Sequence, residues 1–99
     1  MDENTDNKSN TAVISDTRTE ISLGKPYNVI LFNDDHHDMV EVMAQIIKAI
    51  SCSVNAAKDI MMEAHLKGRA VVITTNLERC ELVASILEEI RLGTKIEPA

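Results

Sequence analysis

Ninety-nine residues, 44% of them hydrophobic and 26% charged, suffice for one small domain with a core and not for two. A formal net charge of -6 leaves no Lys/Arg surplus to neutralise phosphates, which argues against nucleic acid. Tyr27 and Phe32 are the only Phe, Tyr or Trp rings, so aromatic base-stacking platforms are excluded and the core must come from Ile, Val, Leu, Met and Ala.

Residues 1 to about 25 are mostly Asp, Asn, Thr, Ser and Glu, too polar to offset the entropy of ordering, and a disordered N-terminal extension is expected there. That stretch lacks the apolar segment of a signal peptide, and no run of 18 apolar residues occurs anywhere. A cytoplasmic protein without a membrane span is therefore expected. Gly24-Lys25-Pro26 marks the boundary with the domain, residues 26–99.

Tyr27 to Phe32 is rich in β-formers and reads as a strand, followed by a polar loop over 33–38. From Met39 the period lengthens to that of a helix. Met39, Val42, Met43, Ile46, Ile47 and Ile50 form one stripe ending near Ile50. Ser53 caps a second helix that turns Val54, Ala57, Ile60, Met61 and Ala64 inward, and Gly68 is placed to stop it in the left-handed conformation. Ala70 to Thr75 is a second strand, apolar enough to be central in a sheet. Asn76 caps a third helix over 77–92, with Leu77, Cys80, Ala84 and Leu87 inward. Gly93 ends it, and Thr94 to Glu97 can add a last strand. The order β-α-α-β-α-β predicts an α+β sandwich with three strands covered on one face by three helices. Cys52 and Cys80 lack metal or redox spacing and read as reduced thiols in or beside the core.

The chemistry concentrates at Asn33-Asp34-Asp35, answered 32 positions later by His65. Two carboxylates, an amide and an imidazole from separate elements can converge on one small cation, with apolar side chains of the same elements beside them. Taken singly, each part has a plainer reading. Asn-Asp-Asp after a strand is ordinary turn chemistry, a His near a helix C-terminus satisfies the dipole, and Met at helical spacing is packing. The joint pattern favours a binding site, and no catalytic nucleophile is visible in it. His36-His37 with Asp34, Asp35 and Asp38 has metal-ligating residue types. Adjacent residues point apart, however, and no helical His-x-x-x-His exists, so a solvated loop without metal or cofactor is expected.

The run Val29-Ile30-Leu31-Phe32-Asn33-Asp34-Asp35, the following Met39, and His65 before Gly68-Arg69-Ala70 resemble the ClpS adaptor family, over about residues 26 to 96. The resemblance implies an adaptor, not an enzyme. Such an adaptor recognises substrates with a destabilising N-terminal Leu, Phe, Tyr or Trp and delivers them to a Clp AAA+ unfoldase with its ClpP peptidase. By position, Asn33, Asp35 and His65 would hold the substrate's α-amino group, and Asp34 the backbone just beyond it. Leu31, Met39, Val42, Met61 and Ala64 would line the side-chain pocket, with Met39 as the gate against β-branched residues. Glu78 and Glu81 fall where the third helix docks on the N-terminal domain of a ClpA- or ClpC-type unfoldase, and the N-terminal extension would assist handover. A monomer is implied.

The chain also departs from that pattern. His36-His37-Asp38 replaces a Thr-Pro-like segment, Ala64 is smaller than the usual Val, and Val83 stands where a Lys is frequent. A Leu of the usual final strand that closes the pocket floor is missing, leaving Leu92 or Ile96 as substitutes. The competing readings are a ClpS-like unfoldase-docking regulator with altered or lost N-degron specificity, and a metal-dependent hydrolase built on the Asp/His loop.

Overall fold

A computed structural model describes residues 24–99; the expected extension over residues 1–25 lies almost wholly outside the described residues. Strand β1 (Tyr27–Phe32) is followed by helices α1 (Met39–Ile50) and α2 (Val54–Lys67), strand β2 (Arg69–Thr75) and helix α3 (Leu77–Leu87). A short 3-10 turn (Glu88–Ile90) and strand β3 (Thr94–Pro98) complete the chain. The three strands form one antiparallel sheet in the order β2-β1-β3.

Local chemistry sets the boundaries. Asp38, Ser53 and Asn76 cap the three helices, each side-chain oxygen accepting from the backbone N–H three residues on, at 2.8, 3.0 and 2.8 Å. Helix α1 ends at Ser51 and α2 at Gly68, both left-handed, with φ of 55° and 89°. The stripe on α1 is broader than its apolar spacing indicates, because Gln45 and Ala49 are buried with Val42 and Ile46. Gln45 is tolerated there because its Nε2 donates to the Ile86 carbonyl and to Glu89.

The central strand is β1, not β2. Val29, Ile30 and Leu31 are buried on both faces, whereas β2 lies at an edge with Arg69 and Val71 exposed. The apolar run Ala70–Ile73 therefore marks one covered face, and Ala70 and Val72 supply it. An extra residue, Val72, enters β2 opposite the Val29–Ile30 step of β1. Val29 and Leu31 join the core with residues of all three helices, while Ile30 lies on the sheet's other face between Val71 and Lys95. The Arg69–Glu97 ion pair, 2.8 Å long, bridges the outer strands diagonally across it.

The third helix is shorter than its sequence suggests. After Leu87 the chain tightens into the 3-10 turn, and Arg91, with φ 66°, reverses it before Gly93 is reached. That reversal turns Leu92 inward, where it is 2% exposed. One further expectation changes, because Val54 at the first turn of α2 is exposed; Val83, at the position where a Lys is frequent, is a core residue of α3.

Candidate functional site

The backbone at the end of β1 is pinned on both sides. The Phe32 N–H donates to the Gly93 carbonyl and the Asn33 N–H to the Gly68 carbonyl, each at 3.0 Å. The second bond ties Asn33 to the end of α2, three residues from His65. Amide and imidazole therefore share one rim although 32 residues separate them in sequence.

The loop between β1 and α1 is built on Asp34. Its Oδ1 accepts from the backbone N–H of His36 at 2.7 Å and of His37 at 2.8 Å, an Asx turn. The same oxygen meets His37 Nδ1 at 2.9 Å, an ion-pair contact in which the ring N–H is poorly aligned. Burial works to raise the Asp34 pKa, but the His37 ring and the two backbone N–H groups outweigh it and hold the carboxyl below its usual value. His37 moves the other way. Its Asp34 contact raises its pKa against desolvation, helped by the negative charges of Asp34 and Glu41 and by the Ile90 carbonyl.

Asn33 Nδ2 donates to Asp35 Oδ1 at 3.2 Å. With one of its two N–H groups used inside the loop, the amide leaves its carbonyl oxygen uncommitted as an acceptor among the described residues. His65 is exposed and makes no hydrogen bond or ion pair within the described residues.

These groups rim an open pocket of about 210 Å³ lined by Leu31, Phe32, Asn33, Asp34, Asp35, His37, Met39, Val42, Met61, Ala64, His65 and Leu92. All nine residues singled out in the sequence for the amine and the side-chain pocket lie along it. Leu31, Val42, Met61 and Ala64 are buried in its wall, and Met39, 48% exposed, stands at the edge. The volume is smaller than the ~300–1,000 Å³ usual for drug-sized ligands, and suits one large apolar side chain. Leu92, not Ile96, lines the pocket; Ile96 pairs with Val29 in the sheet. Phe32 and His37 line the pocket as well, and neither was expected there: His37, read with His36 as part of a solvated loop, is half-buried. For His37 the signal was Asp34 three residues before it, but only the Asx turn folds the ring inward.

Glu78 and Glu81 lie outside this pocket, on α3. Asp38, a candidate metal ligand by type, is engaged as the cap of α1. Among the described residues no group of three His, Cys, Asp or Glu side chains converges on a metal position, and no single helix is long and apolar enough to cross a membrane.

The family model for the ATP-dependent Clp protease adaptor protein ClpS matches residues 23–93. The chain belongs to the ClpS family. Among its relatives, the ClpS adaptor of Synechococcus elongatus is 36% identical, the match covering 84% of this chain and 88% of that one. The ClpS adaptor of Gloeobacter violaceus is 40% identical over 73% of this chain and 78% of its own length. Among solved structures, Agrobacterium tumefaciens ClpS2 bound to L-phenylalaninamide superposes with a TM-score of 0.72 at 27% identity, covering 76% of this chain and 98% of that one. As a ClpS adaptor, the protein serves an ATP-dependent Clp protease.

Proposed function

We propose that this ClpS adaptor captures substrates by a free N-terminal residue. Asn33 Oδ1, the Asp35 carboxylate and a ring nitrogen of His65 accept hydrogen bonds from the substrate α-ammonium, and its Leu, Phe, Tyr or Trp side chain enters the pocket. Three acceptors for three N–H donors is the complement an ammonium requires, and the α-amino pKa near 8 keeps that group charged at pH 7. The observation that carries the reading is the convergence of the acceptor set and the apolar wall on one rim-and-pocket site. The A. tumefaciens relative's ligand, L-phenylalaninamide, has the same chemistry: a free α-amine and one apolar side chain.

Asp34 keeps Oδ2 for the peptide backbone, since Oδ1 serves the loop. Met39 gates entry from the first turn of α1. Charged hydrogen bonds of about 1.5–3 kcal/mol each, with similar gain from one buried side chain, less the cost of association, support about -8 kcal/mol, a micromolar Kd. An acetylated N-terminus or an internal Leu leaves Asp35 desolvated and unpaired, so specificity for a free terminus follows from the same contacts.

Delivery goes to a Clp AAA+ unfoldase of the ClpA or ClpC type, to whose N-terminal domain the monomeric adaptor offers α3 with Glu78 and Glu81. Titration calorimetry with a peptide beginning in Phe tests the cage. Asp35→Asn and His65→Ala should each weaken binding by about tenfold or more. Unchanged affinity in both variants would sink the proposal.

A further inference from the structure

Beyond Met1, the chain's methionines are Met39, Met43, Met61 and Met62, and their surroundings differ. Met61 is 6% exposed in the pocket wall, and Met43 and Met62 are partly buried against the core. Met39 is 48% exposed, although it lines the same pocket as Met61. Its place on α1 explains the difference. Met39 is the first helical residue after the Asp38 cap, and the helix buries Val42, Gln45, Ile46 and Ala49 in its stead. Among the described residues, its thioether alone is both open to solvent and on the ligand's way into the pocket.

We propose that Met39 is a redox-sensitive modification site: a peroxide converts its thioether to the sulfoxide, and the modified pocket no longer captures an apolar N-terminal residue. This rests on the capture reading above. In the reaction with hydrogen peroxide the sulfur attacks one peroxide oxygen, and an S–O bond forms as the O–O bond breaks. The sulfur loses two electrons, and the second oxygen leaves as water with both protons. Access decides which methionine reacts, so Met39 is oxidised ahead of Met43, Met61 and Met62. The effect on binding follows from the pocket's chemistry. An entering Leu or Phe side chain displaces the water around Met39, and a thioether loses little by this because its sulfur is a weak acceptor. A sulfoxide oxygen is strongly polar and needs a donor in place of that water. Asp34 and Asp35 on the same pocket present carboxylate oxygens that accept and do not donate, and the apolar wall at Leu31, Val42 and Leu92 presents no donor side chain. Burying the oxygen unpaired weakens binding by about 5- to 100-fold.

The test treats full-length wild type and Met39→Leu with limiting hydrogen peroxide and locates the sulfoxides by peptide mass spectrometry. Binding of a methionine-free peptide beginning in Phe is then measured, each protein against its own untreated sample, since Met39 belongs to the pocket. Met39 should oxidise before Met43, Met61 and Met62. Wild-type affinity should fall in step with Met39 sulfoxide, by the factor above at full conversion, and recover once a thiol-dependent methionine sulfoxide reductase restores the thioether. Treated Met39→Leu should stay within about twofold of its untreated affinity, because leucine has no sulfur to oxidise. Met39→Gln, polar and of similar length, gives a second reading and should bind as weakly as the oxidised wild type. An equal fall in Met39→Leu, undiminished binding by protein oxidised at Met39, or earlier oxidation of Met61 overturns the proposal and leaves capture standing. If the untreated wild type binds no peptide beginning in Phe, Leu, Tyr or Trp, the capture reading fails and this inference falls with it.

Discussion

At the scale of single residues, two neighbouring carboxylates are engaged very differently. Asp34 Oδ1 is occupied by two backbone N–H groups and an imidazole, while Asp35 meets only the Asn33 amide. The Asp34–His37 couple also links stability to pH. The histidine's folded pKa is raised, so its contribution is complete below its usual 6.5 and is lost as the pH climbs through the raised value. The aspartate's is lowered, so its contribution is complete above its usual 3.8 and is lost as the pH falls through the lowered value. The couple therefore stabilises most between about pH 4 and 6.5. Chemical denaturation across that range should show a stability plateau that Asp34→Asn diminishes; equal pH dependence in both proteins would contradict it. Ala64 makes a separate prediction, because it is buried in the pocket wall, where any larger side chain takes up pocket volume. Ala64→Val should cost affinity for N-terminal Phe or Trp more than for Leu, and an unchanged Phe-to-Leu ratio in competition binding would refute that. The residues of the pocket were readable because they combine an unusual donor set with helical spacing. His37 was not, since its position depends on a turn rather than on a period.

At the scale of elements, glycine and valine positions decide how the site is held. Gly68 has φ 89°, with nothing within 4 Å of where a Cβ would project, so Gly68→Ala meets backbone strain and no clash. That strain is worth about 1–2 kcal/mol, read as a lowered denaturation midpoint, and peptide binding should weaken with it because the Gly68 carbonyl anchors Asn33. Wild-type stability in that variant would show the anchor to be dispensable. Val83 is 1% exposed, so restoring the lysine expected there places an unpaired charge in the core. Val83→Lys should lower Tm by more than about 10 °C; a stable variant would return the position to the surface. Helix starts and stops were legible because Asp38, Ser53, Asn76 and Gly68 carry specific capping chemistry. The central strand and the end of α3 were not. Continuous apolarity does not distinguish a strand buried on both faces from an edge strand with Val71 exposed, and Arg91 reverses the chain in a conformation that arginine does not advertise.

At the scale of the whole molecule, the three-stranded sheet and three helices serve as a frame that brings the end of β1, the start of α1 and the end of α2 to one rim. Every pocket residue falls between positions 31 and 92. Removing residues 1–25 should therefore leave peptide affinity intact while abolishing degradation by the unfoldase–protease pair, and undiminished degradation would place handover elsewhere. The central claim is that a free α-ammonium is read together with one apolar side chain. Fluorescence anisotropy with a labelled peptide beginning in Phe, beside its N-acetylated twin and an Asp35→Ala protein, tests it most directly. Micromolar binding that is lost on acetylation and in the variant is the predicted result. Equal binding of the acetylated and free peptides, or none by peptides beginning in Phe, Leu, Tyr or Trp, would contradict it.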